Sequence, residues 1–230
     1  MPKLKLQTKW DMTAKIISSI VILLILIQAV IYSFSIREFY NINLMKVELI
    51  SSSVFRLDYF IVDFIFCFIY LAVLALFPLT IVFNGKRDKS PCVIYLLMMT
   101  AFSVESVVLF LTNDRNKMLF HIICLLSEIC CCISSVIILK NSEKISGKII
   151  AVLLQLPYIL VGITACINYF SLFNVIMLLL SPLFIIFLFS LNNEYSKISL
   201  INSRTFIIIS IILSCIYLAT LAMVNVGLIN

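Results

Sequence analysis

An all-α fold, a bundle of seven transmembrane helices, follows from three features of the chain. Seven apolar stretches recur along its 230 residues, each of about 20 residues or more, enough to cross a hydrocarbon core of roughly 30 Å at about 1.5 Å per residue. Hydrophobic residues make up 63% and charged residues 12%, against about 25% charged in ordinary soluble domains. All 17 Lys and Arg residues fall between the stretches or at the ends. Inside lipid each backbone N–H and C=O needs an internal partner, which leaves helices or closed barrels. Barrel strands alternate polar and apolar positions over about ten residues. Ile22–Ile27 (ILLILI) and Ile207–Leu213 (IIISIIL) are instead continuous apolar runs, so helices are expected. Little of the chain is left over for a soluble part, and 1–230 reads as a single transmembrane domain.

The spans are expected at 16–36, 59–83, 92–112, 118–139, 149–168, 171–191 and 205–226. The first follows Lys3-Leu4-Lys5-Leu6 and Lys9-Trp10, a pattern in which Lys snorkels and Trp sits at headgroup level. Ser33-Phe34-Ser35 is a small-x-small pattern of the kind a signal peptidase cuts, but the apolar core exceeds the 7–15 residues of a signal, so an uncleaved anchor is expected. The longest gap, Arg37–Asp58, mixes charge with Leu44, Val47, Leu49 and Ile50 and predicts a short amphipathic helix lying along the interface. Spans two and three are joined by Asn84-Gly85-Lys86-Arg87-Asp88-Lys89-Ser90-Pro91, a turn by its Gly, Pro and Asp content. Asn113–Lys117 is short enough to make spans three and four antiparallel neighbours. Asn168-Tyr169-Phe170-Ser171 is a tight hairpin between spans five and six, with a re-entrant segment as the minor alternative.

The positive charges set the expected orientation. With seven spans, the N-terminal side carries twelve of them: Lys3, Lys5, Lys9, Lys15, Lys86, Arg87, Lys89, Lys140, Lys144, Lys148, Lys197 and Arg204. The opposite side carries five, Arg37, Lys46, Arg56, Arg115 and Lys117. The positive-inside bias then places the N-terminus in the cytoplasm and the C-terminus outside or in a lumen. The net charge of +6 is explained by cytoplasmic loops that face anionic lipid. The expected partners are the bilayer and other membrane proteins or further copies of the chain, not nucleic acid. Plasma membrane and endomembrane are not distinguished.

Chemistry inside the membrane rests on few groups. Asp63, Glu105 and Glu128 fall within spans, as does His121, the single histidine. An ionisable group there costs several kcal/mol, about 3 at the centre of a helix on insertion scales, unless paired or hydrated. No span contains Lys or Arg. His121, Cys124, Glu128, Cys131 and Ser135 are spaced 3, 4, 3 and 4 apart, which puts them on one stripe of span four. By helical rise Glu105 and Glu128 lie about 12 and 16 Å below the same membrane face. Asp63 and His121 lie close to that face, and Cys67 shares the side of Asp63. These residues predict a proton or cation site at Asp63, Glu105, His121 and Glu128, because two glutamates in low dielectric can share a proton. Cys67 and Cys124 are weaker candidates as ligands for a borderline metal. The alternative is that both glutamates are protonated and bond to Ser103, Ser106 or Ser127 on neighbouring helices.

The remaining polar and unusual residues are less specific. All eight cysteines lie in spans or at their ends, so no disulfide framework is implied. Cys130-Cys131-Cys132 points in three directions on a helix and is no chelate; buried Cys behaves as a small hydrophobe. Cys92 is a minor candidate for palmitoylation. Pro78, Pro157 and Pro182 are expected to kink spans two, five and six. Gln155, Asn174 and Tyr158 are expected to bridge or pack helices. HExxH, Gly-x-Ser-x-Gly and Walker patterns are absent, no cofactor is implied, and the chain leans away from catalysis. The last span has no Lys for a retinal Schiff base, and the expected orientation opposes a G-protein-coupled receptor. A small transporter or channel for protons or cations and a non-catalytic membrane subunit remain, with a receptor of inverted topology behind them.

The orientation is directly testable. A reporter fused after Asn230 should read as external or lumenal, and one at Lys144 as cytoplasmic; a cytoplasmic C-terminal reporter would show the span count to be off by one.

Overall fold

A computed structural model of the chain describes residues 2–49, 57–83, 89–112, 118–141, 144–168, 170–191 and 200–225. All the regular structure among them is helical: α1 (Pro2–Leu49), α2 (Leu57–Phe83), α3 (Ser90–Thr112), α4 (Met118–Asn141), α5 (Ile145–Asn168), α6 (Leu172–Ser190) and α7 (Leu200–Asn225). Six of the seven are long and apolar enough to cross a membrane, and α2 adds a described apolar stretch at Cys67–Phe83. These helices suit a multi-pass integral membrane protein.

Most helix ends fall within a few residues of the expected spans, and local chemistry explains them. Pro91 is the second residue of α3, where its missing N–H costs nothing; the Lys89 carbonyl accepts from the Cys92 and Val93 amides in that first turn. Ser171 caps α6 by accepting the Asn174 amide at 3.1 Å. One expectation fails. The segment after residue 36 is not a separate interfacial helix; α1 continues without a break for 48 residues, about 72 Å of helix. Between Pro2 and Leu49 the sequence holds no proline and no glycine, so nothing interrupts the hydrogen-bond ladder.

The helices alternate in direction. At one end, Trp10 of α1 packs on Phe189 of α6 with ring centroids 5.4 Å apart, and Phe83 of α2 stacks on Phe206 of α7 at 6.2 Å. There Lys89 Nζ donates to the Leu139 carbonyl at 3.3 Å and Lys148 Nζ to the Leu191 carbonyl at 3.3 Å. Each lysine satisfies a carbonyl orphaned at the C-terminus of a neighbouring helix, where the dipole favours a cation. The starts of α1, α3, α5 and α7 and the ends of α2, α4 and α6 therefore share a lysine-rich end.

Packing follows chain order. α1 to α5 each contact the next helix, α6 returns to α1, and α7 lies against α2 and α3. Large side chains fill the middle: Tyr95, Phe77, Phe102, Phe184, Met98 and Met99 are fully buried. The outer surface is apolar. On α5, Ile149, Leu153, Leu156, Leu160, Ile163 and Ile167 are exposed, while Gly147, Ala151, Gln155, Tyr158 and Gly162 are buried. This helix turns its small and polar residues inward and its aliphatic stripe outward, the reverse of a soluble amphipathic helix.

Gly162 lets α5 and α6 approach closely. A Cβ at this position would lie 3.0 Å from Leu178 Cδ1 and 3.2 Å from both Leu178 Cα and Cβ. A side-chain tip can move aside, but the α6 backbone cannot without separating the helices. Gly162→Ala should therefore lose about 1–3 kcal/mol, read as a lower Tm of the detergent-solubilised protein. An unchanged Tm would mean that the two helices are free to separate here.

Candidate functional site

At the end opposite the lysines, five helices enclose a cavity of about 260 Å³. α4 contributes the most chemistry, with His121, Cys124, Ser127 and Glu128 on its inward stripe. The 3–4 spacing that groups these residues also explains why they face inward together. α3 supplies Glu105 and Ser106, α2 supplies Tyr70, α5 supplies Tyr158 and Gly162, and α6 supplies Phe173, Asn174 and Met177. Phe120, His121 and Asn174 lie within the first turn of their helices and mark the mouth. Glu128 and Tyr158 each lie ten residues, about 15 Å, from the adjacent helix end and form the floor.

The two glutamates differ in their surroundings. The Tyr217 hydroxyl of α7 lies against the Glu105 carboxyl. Glu128 is 7% exposed, and the Ser106 hydroxyl faces its carboxyl, yet Oε2 has no hydrogen-bond partner among the described residues. The two carboxyls are close enough to interact electrostatically. Among the described residues no Lys or Arg lines the cavity. Of the three serines expected to serve the glutamates, only Ser106 does so. The Ser103 hydroxyl donates to the Met99 carbonyl at 2.9 Å and Ser127 to the Cys124 carbonyl at 2.7 Å, each within its own helix.

The other site candidates separate. His121 is buried, with Phe120 edge-on at a centroid distance of 5.9 Å. Cys124 is half-buried on the cavity wall. Cys67 is not on that wall; it lies near Tyr32 of α1. Among the described residues no three His, Cys, Asp or Glu side chains come together to hold a metal. Asp63 belongs to α2, and its side chain lies outside the described residues. Comparison with protein-family models, curated proteins and solved structures finds no match.

Aromatic residues complete the cavity, and spacing alone did not single them out. Tyr70 packs on Phe102, Phe173 and Tyr217 at centroid distances of 5.4, 5.5 and 5.3 Å. The Tyr70 and Tyr158 hydroxyls both approach the Met177 sulfur at 3.9 Å. Bulky rings converging from different helices leave no periodic signal on any one of them.

One turn below the floor a buried polar node closes the bundle. The Tyr95 hydroxyl donates to Gln155 Oε1 at 2.8 Å, the Ser181 hydroxyl donates to the same oxygen, and Cys131 Sγ donates at 3.3 Å. Residues of α3, α4, α5 and α6 thus meet on one amide oxygen, while Gln155 Nε2 has no partner among the described residues. The Tyr95 ring stacks on Phe184 at 4.1 Å and packs on Phe77 at 4.8 Å. Pro78 follows Phe77, Pro182 follows Ser181, and Pro157 lies two residues after Gln155. All three helix-interior prolines therefore gather at the level of Tyr95.

Tyr95→Phe keeps the ring contacts and removes the hydroxyl, so it should lose about 0.5–1.5 kcal/mol of stability. Tyr95→Ala also removes the rings' partner and should lose about 3–5 kcal/mol. Equal losses in thermal melts of the two variants would assign the hydroxyl all of the effect and the stack none.

Proposed function

We propose that this protein is a small transporter or channel that handles protons or cations at the Glu105–Glu128 cavity. The supporting observation is a pair of acids with no Lys or Arg beside them among the described residues. Two carboxyl groups from adjacent helices face one cavity, its described lining holds His121 but no Lys or Arg, and one Glu128 oxygen is buried without a partner among the described residues. A carboxyl in that position costs several kcal/mol unless something positive or a proton accompanies it. A purely structural acid would be expected to have both oxygens satisfied by its neighbours. By the positive-inside bias the lysine-rich end is cytoplasmic, so the cavity opens outward and the Tyr95–Gln155 node closes the route inward.

A second reading, a non-catalytic membrane subunit, draws support from the outer surface. Met12, Ile16, Ile20, Leu23 and Ile27 of α1 are exposed, and the helix continues well beyond the length of one span. That continuation could hold another membrane protein or a second copy of the chain, with Glu128 a protonated helix contact.

Glu128→Gln separates the two readings. The amide keeps the shape of the carboxyl and removes its charge. Proton or sodium flux in proteoliposomes should fall at least about tenfold, the loss expected when a charge-assisted contact of about 1.5–3 kcal/mol is removed. Abundance and Tm should stay at or above wild type. Undiminished flux would remove the transport mechanism, and absence of flux in the wild-type protein would favour the subunit.

A further inference from the structure

We infer that the cavity takes an organic ammonium ion, a primary or secondary ammonium head on a small apolar body, rather than a bare metal ion; this rests on the cation reading of the Glu105–Glu128 site. Three features carry it. The first is volume. About 260 Å³ is several times the roughly 30 Å³ that one water occupies in the liquid, so a dehydrated ion would be loosely held. The second is the donor set. Calcium takes six to eight oxygen ligands at about 2.3–2.6 Å, and magnesium demands a tight octahedron. The described residues instead hold no group of three His, Cys, Asp or Glu able to bind a metal.

The third feature is the mixed lining. Glu105 and Glu128 supply carboxyl groups. Tyr70, Tyr158 and Phe173 supply rings, and Met177 a thioether, to the same cavity. Carboxylate beside aromatic rings is how proteins hold alkylammonium groups, because the ring quadrupole attracts a cation while the carboxylate accepts its N–H. Glu128 Oε2 is the specific anchor. It is an acceptor on a side chain more than nine-tenths buried, it lines the cavity and it lacks a partner among the described residues. An ammonium N–H satisfies it, and the apolar body of the ligand extends past Cys124 and Phe173 toward the mouth. A quaternary ammonium has the charge but no N–H to donate, so it should bind more weakly.

The test uses the full chain in lipid nanodiscs, titrated calorimetrically with phenethylammonium chloride, tetramethylammonium chloride and sodium chloride at matched ionic strength. Phenethylammonium should bind saturably and more tightly than either comparator. Glu128→Gln should weaken it at least about tenfold, and Phe173→Leu about threefold, with each variant checked by thermal melt so that misfolding is not read as lost affinity. Equal affinity for tetramethylammonium, or undiminished binding in Glu128→Gln, would overturn the assigned contact. No phenethylammonium binding, in a protein whose proton or sodium flux Glu128→Gln still abolishes, would overturn the organic ligand and leave the inorganic reading of the site intact. Neither binding nor a Glu128-dependent flux would overturn both.

Discussion

The hydrogen bond from the Tyr95 hydroxyl to Gln155 organises the middle of this bundle. It is buried on every side, so in that low-dielectric setting each bond is strong and each missing one expensive. Because Ser181 and Cys131 share the same acceptor, the heights of α3, α4, α5 and α6 are set together. The registry of these four helices places Glu105, Glu128 and Tyr158 around a common cavity. The aromatic stack on Phe184 and Phe77 shields the node and fills the space beneath the cavity. A slip of one turn in α5 would carry Gln155 away from Tyr95 and Gly162 away from Leu178 at once.

Most other polar side chains in the spans are spent locally. Thr80, Thr164 and Thr220 donate to carbonyls three or four residues back in their own helices, a bond that hides a hydroxyl without linking helices. Against that background the interhelical groups stand apart: the Gln155 node, the Ser134 bond to the Ala151 carbonyl at 2.9 Å, and the carboxyls of the cavity. Association in lipid gains little from apolar contact alone. Close approach at Gly162 and these few polar bonds therefore carry much of the specificity of the packing.

The sequence made part of this legible. Span lengths and the α4 stripe follow from local periodicity, and the stripe residues His121, Glu128, Cys131 and Ser135 are all buried. The continuation of α1 was missed because a mixed polar and apolar segment after residue 36 suggests a change of direction, whereas helix continuity depends on the absence of breakers. Cys67 was grouped with the site by depth, but depth does not fix rotation, and its side chain lies beside α1. The roles of Tyr70 and Phe173 depend on where α2 and α6 meet, a tertiary fact with no sequence period. Gln155 was recognisable as a bridging residue, though not as the meeting point of four helices.

The gathering of Pro78, Pro157 and Pro182 near Tyr95 has a mechanical consequence. A proline inside a helix removes one rung of the backbone ladder and lowers the resistance to bending there. Three such positions at one height give the bundle a compliant waist between two stiffer blocks. One block holds the lysine-rich end; the other holds the cavity. Tilting the blocks against each other concentrates deformation at the waist, and the side chains that must yield are the stacked rings and the shared amide. The plug that seals the cavity floor and the softest section of the backbone are thus the same place, so motion of either block acts on the seal before it distorts the carboxyl pair.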